Sequence, residues 1–249
     1  METIVKQTRE VGTSAGVLLP RKWLNKQVVV TLLSPSKEDI AKDILNILLN
    51  HNLNEEIKGI YLVGSYARQD YDHNSDIDIL VITQKVNKLI NQDNYEILLV
   101  SEDNFSKNLP ISLNYLSMLK EIKVILNKEL IEKYTAKKNK LNIKQTLKEI
   151  KKILEINKES IRLCEEDGKN IPDGIVYSIV LRLRELHIIK NLLSNKPYSK
   201  GKFIKMCGDK IYSAYTRVKR NEKELNNISS NEIENILDLS ERWLKELKG

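Results

Sequence analysis

Two aspartates one residue apart, Asp76 and Asp78, stand at the opening of an apolar run that continues Ile79-Leu80-Val81. Side chains on a strand alternate faces, so the two carboxylates point one way and Ile77 the other. Like charges side by side on one sheet face repel, and the pair is costly unless a cation sits between them. Hard oxygen ligands of this kind suit Mg²⁺, which is usually held by one or two carboxylates plus substrate phosphates. Eleven residues ahead of Asp76 is Ser65, preceded by Gly64. A glycine at a strand end lets backbone approach a ligand closely. If Ser65 to Gln69 open a helix, their free N–H groups form an anion site. Residues 64–81 thus offer a phosphate cradle and a metal-binding carboxylate pair. His73, in the turn between them, reads as solvated.

These groups need rigid elements behind them. Gly59 to Val63 is short, apolar and β-branched, and reads as a buried strand ending at the glycine. The run from Ile77 reads as the next strand, and Tyr95 to Val100 as another. Ser36 with Asp39 makes a capping box. Ile40, Ile44, Leu45, Ile47 and Leu48 recur at helical spacing after it, so a helix runs to about His51, behind the sheet. Asp93 falls in a turn. Helical turns follow over Glu102–Lys107 and Leu113–Lys120, then a short strand over Ile122–Leu126 and a helix over Lys128–Lys137. Strands alternating with helices predict a small α/β or α+β domain with a mixed sheet over residues 35–136.

Beyond a basic linker, Lys137 to Lys140, no strand pattern appears. Residues 140–249 predict a four- to five-helix bundle with core stripes of Ile and Leu. Its helices run over Ile143–Glu166, from Pro172 in a first turn to Leu193, over Phe203–Cys207 and Ile211–Val218, and from a cap at Ser229 or Ser230 through Leu247. Residues 1–34 predict three short strands, Thr3–Gln7, Val17–Pro20 and Gln27–Leu33. Val11 to Gly16 forms a bend between the first two, and Arg21–Trp23 a turn or helical piece. A piece this small cannot bury a core alone, so it must pack on the next domain or on a copy of itself.

The order Gly-Ser-x-Ala-Arg, then Ser-Asp-Ile-Asp-Ile-Leu-Val, closely resembles the signature of the polymerase-β-type nucleotidyltransferases, in particular the minimal members. The resemblance covers about residues 38–135, and Gln69 stands where minimal members commonly have glycine. It implies that Asp76 and Asp78 hold two Mg²⁺ ions. It also implies that Gly64, Ser65 and Arg68 hold the phosphates of an NTP substrate, here ATP. A third carboxylate usually stands on the strand beside the two aspartates. Glu96 occupies that place, with Glu for the usual Asp, as a metal ligand and base toward the attacking hydroxyl. The C-terminal helices then bind the acceptor, with Arg182, Arg184, Tyr215, Arg217 and Lys219 as candidates for phosphates or acceptor. Arg182 and His187 also fit the R-x4-H pattern of the HEPN ribonucleases, although Leu183 follows the arginine where that family carries a polar residue.

Gly12-Thr13-Ser14-x-Gly16-Val17-x-Leu19-Pro20 resembles the swapped-hairpin (AbrB/MazE-like) half-barrels. This implies an intertwined homodimer and DNA contact through Lys6, Arg9, Arg21, Lys22 and Lys26. The implied function is transfer of AMP from ATP to an acceptor hydroxyl of a protein, RNA end or small molecule. The alternative is a DNA-binding antitoxin or regulator that uses the same fold to modify or sense a partner.

Composition bounds these readings. Hydrophobic residues make up 41% of the 249, enough for packed cores. Lys and Arg number 41 against 34 Asp and Glu, a net charge of +7, which fits a polyanionic partner. Cys164 and Cys207 make no disulfide framework. The absence of an apolar run of about 18 residues predicts no membrane span. Met1 to Val5 lacks a signal-peptide pattern, so a cytoplasmic location is expected.

Overall fold

A tight hairpin lies near the start of the chain in the computed structural model, which describes residues 2, 4, 6, 8–31, 35–72, 75–136 and 142–248. Strands β1 (Arg9–Val11) and β2 (Ser14–Gly16) pair antiparallel, with Arg9 opposite Gly16. Gly12 turns the corner at φ +58°, a conformation glycine adopts without steric cost. The bend is therefore itself the hairpin. Among the described residues the expected flanking strands do not form: Val17–Pro20 and residues 27–31 lie outside any strand, as do Ile4 and Lys6. Thr3, Val5, Gln7, Leu32 and Leu33 lie outside the described residues, as do His73 and the expected linker 137–140. Residues 21–23 form one turn of 3-10 helix, as expected.

Helix α1 (Lys37–Asn50) starts at the predicted capping box. The Ser36 hydroxyl accepts from the Asp39 amide, and the Asp39 carboxylate accepts from the Ser36 amide, both at 3.1 Å. Its buried residues are Ile40, Ile44, Ile47 and Leu48, while Leu45 faces solvent. His51 is its exposed C-cap.

Then come β3 (Ile57–Leu62), α2 (Gly64–Arg68), β4 (Ile77–Thr83), β5 (Lys88–Gln92), β6 (Tyr95–Ser101), α3 (Glu102–Asn108), α4 (Leu113–Glu121), β7 (Lys123–Leu126) and α5 (Lys128–Thr135). The sheet order is β5-β6-β4-β3-β7; β4 and β6 run parallel and the other pairs antiparallel. Strand β5 has no counterpart in the sequence reading. Its run Lys-Leu-Ile-Asn-Gln buries only Ile90, so it carries too little apolar pattern to stand out. Asp93 sits in its hairpin turn at φ +54°.

The sheet is covered on both sides. Ile60, Leu62, Ile77, Ile79, Val81, Ile97 and Leu99 pack beneath α1. Tyr61, Val63, Leu80, Ile82 and Val100 pack against Phe105, Leu116, Leu119, Leu130 and Ile131 of α3, α4 and α5. Such a β4 is nearly continuous in hydrophobic residues, as strands buried on both faces are. By alternation Asp78 shares a face with Leu80 and Ile82, and Glu96 with Leu98 and Val100.

Five helices complete the chain: α6 (Lys144–Glu166), α7 (Asp173–Leu193), α8 (Lys200–Cys207), α9 (Asp209–Lys219) and α10 (Ser230–Glu246). Pro172 is the N-cap of α7 rather than part of its first turn, and Ser229 with Glu232 forms the capping box of α10. Helix α7 is the central one, touching α6, α8, α9, α10 and, across to the sheet, α4. Both cysteines are free thiols. Among the described residues no helix is long and apolar enough to cross a membrane.

One buried polar group opens α7. Asp173 is fully buried, and its carboxylate accepts from Arg217 Nε at 2.7 Å, Arg217 Nη2 at 3.1 Å and the Leu225 amide at 3.1 Å. Burial alone would raise its pKa, but these donors outweigh burial and hold it below the usual carboxylate range. Arg217 is thereby spoken for inside the fold and is not presented to a substrate. Removing one partner of a buried pair strands the other charge, so Arg217→Ala should destabilise the protein by about 3–5 kcal/mol in urea unfolding. A loss below about 1 kcal/mol, the usual value for an exposed pair, would contradict this placement.

Candidate active site

The site is built where β3 gives way to α2. Val63, the last extended residue, donates its amide to the Asp78 carbonyl at 3.0 Å, which ties the end of β3 to the start of β4. Gly64 then takes φ +69°. A Cβ placed on Gly64 would lie 1.8 Å from Asp78 Oδ2, so the carboxylate rests directly on the glycine. Helix α2 lasts only one turn and ends at Gln69, which is left-handed at φ +63°. Asp76 lies one residue ahead of β4 and is exposed; Asp78 lies within the strand and is half-buried.

The parallel register of β4 and β6 sets Asp78 opposite Glu96, one residue after Ile77 pairs with Tyr95. Glu96 is exposed and sits between two other strands, not at the sheet edge. The consequence is electrostatic. Burial pushes the Asp78 carboxyl up to about 6; Glu96 and then Asp76 push the same way, while Lys219 and Arg68 oppose. Among the described residues, no group of three or more His, Cys, Asp or Glu side chains is placed so that it could hold a metal ion by itself. A half-buried carboxylate with a second one opposite it on the next strand is chemistry of the kind that holds Mg²⁺ together with phosphates.

The fold sets Gly64 against Asp78 and Asp78 opposite Glu96, with Asp76 two residues ahead of Asp78 in the chain and Ser65 in the single turn of α2. Arg68 is close but already engaged. Its Nη1 donates to Glu121 Oε2 at 2.5 Å and its Nε to Asp70 at 3.2 Å. Its guanidinium lies 5.2 Å from the Tyr198 ring centroid, and Arg184 lies 5.6 Å from the same ring.

The loop after α2 is latched to the helical part. The Lys200 amide donates to Asp70 Oδ2 at 3.0 Å, and Lys200 Nζ to Asp72 Oδ2 at 2.7 Å. These contacts tie the start of α8 to the loop that leads from α2 toward β4. Of the five candidates on the helices, Lys219 is the one whose charge bears on Asp78. Arg182 pairs with Glu185 at 2.9 Å, and Arg184 lies 3.5 Å from the Tyr215 hydroxyl. Tyr215 is buried and stacked on Tyr177. His187 is packed among Tyr198, Phe203 and Trp243, and burial lowers its pKa.

Sequence reasoning missed Asp70, Glu121, Tyr198 and Lys200. Each looks like an ordinary loop or helix-end residue, and only the fold brings it to α2. The Gly64–Asp78 contact yields a sharp expectation. Gly64→Ala should force Asp78 off its position and add about 1–2 kcal/mol of left-handed strain. Urea unfolding and a crystal structure of the variant check this; an unmoved Asp78 with unchanged stability would refute it.

The family model described as nucleotidyltransferase domain matches residues 41–198, from within α1 to Tyr198. No curated protein matches. A nucleotidyltransferase-like protein from Exiguobacterium sibiricum 255-15 is similar at 15% identity over 83% of this chain and 75% of that one, with a TM-score of 0.33. A spectinomycin adenyltransferase from Enterococcus faecialis, solved with ATP and spectinomycin, is similar at 15% identity over 84% of this chain and 99% of that one, with a TM-score of 0.39. With its family match spanning the sheet, α2 and both aspartates, the chain belongs to the nucleotidyltransferase domain family.

Proposed function

We propose that the protein transfers AMP from ATP to an acceptor hydroxyl and releases pyrophosphate. The observation that carries the reading is the single unit formed by left-handed Gly64, the Asp78 carboxylate resting on it, and Glu96 opposite Asp78. In this reading the acceptor oxygen bonds to the α-phosphorus, the bond from that phosphorus to the bridging oxygen breaks, and pyrophosphate leaves with the electron pair. Asp76, Asp78 and Glu96 would hold two Mg²⁺ ions, which when bound supply Lewis acidity at the phosphates and make the attacking hydroxyl easier to deprotonate. Glu96, the exposed member of the pair, accepts the hydroxyl proton.

The protein's own polar groups do the rest. Gly64 and Ser65 open α2 and form the seat for the β- and γ-phosphates, with Ser65 facing them while Glu121 holds the Gly64 amide. Arg68 adds its charge from behind, since its fork is held by Glu121 and Asp70. Lys219 faces the carboxylates from α9 and offsets the charge that grows on the leaving pyrophosphate. The acceptor enters between the sheet and the helical part, residues 140–249. The proposed location is the cytoplasm, which supplies ATP and Mg²⁺.

The test uses α-labelled NTPs with Mg²⁺, alone and with cell lysate. Label should move to one fraction, protein, RNA or small molecule, and that fraction names the acceptor class. Asp78→Asn should cut transfer by about 10²–10⁴-fold, the span typical of a positioned catalytic group. Undiminished transfer by Asp78→Asn would sink the proposal.

A second property rests on a separate observation. Residues 8–31 contain no buried side chain, and Val29 and Val30 are 93% and 78% exposed. An exposed apolar run of this kind marks an interaction site. We propose that residues 1–34 join two copies into a homodimer. Arg9, Arg21, Lys22 and Lys26 are exposed beside it and supply DNA phosphate contacts in the regulator reading. Light scattering should find a dimer that becomes a monomer when residues 1–34 are removed. An intact protein that stays monomeric would contradict dimerisation, and no DNA retention at low salt would contradict the regulator reading.

A further inference from the structure

Glu121 is the last residue of α4, and its side chain is 9% exposed. No step of the proposed reaction uses it. Yet both of its oxygens are committed at the head of α2. Oε1 accepts the Gly64 amide at 2.9 Å, and Oε2 accepts Arg68 Nη1 at 2.5 Å. One carboxylate therefore clamps the first and the last residue of α2. The first of these, Gly64, is the surface on which Asp78 rests.

Two roles fit a buried carboxylate here. It could stand in for a phosphate and leave when nucleotide binds, or it could stay and hold the turn. The surroundings decide. The cavity bordering Glu121 between α4, α7 and the 196–198 segment is small, about 10 Å³, and Glu121 already spends both oxygens on α2. A displaced Glu121 would also leave Arg68 half-buried with Asp70 as its remaining ion-pair partner. Burial raises the Glu121 carboxyl pKa overall, and Arg68 and the Gly64 amide oppose that by stabilising the charge. A charge so enclosed is kept in place by its partners.

We propose that Glu121 is a positioning residue for the transfer reaction: by holding the Gly64 amide and Arg68 together it fixes α2, and through Gly64 the place of Asp78. This rests on the nucleotidyl-transfer reading only where turnover is concerned. The chain of contact runs Glu121 carboxylate, Gly64 amide, Gly64 Cα, Asp78 carboxylate. Glu121→Ala breaks its first link. Glu121→Gln keeps an oxygen for the Gly64 amide but turns an amide donor toward Arg68, so it breaks only the Arg68 half.

Three readouts on the full chain test this. Hydrogen exchange at the Gly64 amide should be protected in the wild type and in Glu121→Gln, and lose protection in Glu121→Ala. Mn²⁺ alone, titrated against the protein, should bind about tenfold more weakly to Glu121→Ala, as when a partner behind a metal ligand is removed. Turnover of Glu121→Ala should fall about 10²-fold, the effect of a small misplacement of a reacting group, with KM for ATP changed far less. Unchanged Mn²⁺ binding in Glu121→Ala, or equal losses in kcat and KM that track a fall in Tm, would overturn the proposal. Should the wild type show no Asp78-dependent transfer, the functional reading fails, and the exchange and Mn²⁺ results judge the positioning role by themselves.

Discussion

The Asp78 carboxylate rests on the Cα of Gly64, and much of the structure serves that contact. It exists because β3 and β4 are antiparallel neighbours and because β3 ends in a residue that tolerates a left-handed turn. A side chain at position 64 would occupy the space the carboxylate fills. The contact brings the turn at Gly64 within reach of the carboxylates without a long loop between them. It also removes water from one side of Asp78, which together with Glu96 raises its proton affinity. A half-buried carboxylate beside another is a poor arrangement for stability. It suits a site that binds a divalent cation and its polyphosphate.

The layers around it are ordinary packing put to one purpose. Helix α1 covers one face of the sheet, and α3 to α5 cover the apolar part of the other. Asp78 and Glu96 lie on that second face at the beginning of their strands. There α9 approaches with Lys219, and Lys200 at the start of α8 bonds Asp70 and Asp72. The electrostatic character of the cleft is thus acidic on the sheet and basic on the helices. That division matches a substrate that carries both phosphates and metal.

Much of this could be read from the chain. The Gly-Ser and Asp-x-Asp spacing located the turn and β4, because strand alternation and glycine's backbone freedom leave few alternatives. The capping box at Ser36 placed α1, and a cap at Ser229 or Ser230 placed the start of α10. Strand β5 escaped because it buries a single residue, and the N-terminal strands were misplaced because Gly12 turns a hairpin inside the expected bend. The partners of Arg68 were invisible for a different reason. Glu121 is 53 residues away from it, and only packing between α4 and α2 brings them together. Arg217 misled for the same reason: its basic character suggested a ligand, and the fold gives it the buried Asp173.

A crystal grown with Mn²⁺ and a non-hydrolysable ATP analogue offers the most direct examination of the Gly64–Asp78 turn as the nucleotide seat. Anomalous scattering should place Mn²⁺ against Asp76, Asp78 and Glu96, with the triphosphate over the first turn of α2 and Lys219 reaching it from α9. Mn²⁺ bound elsewhere, or the analogue lying away from α2, would contradict the assignment.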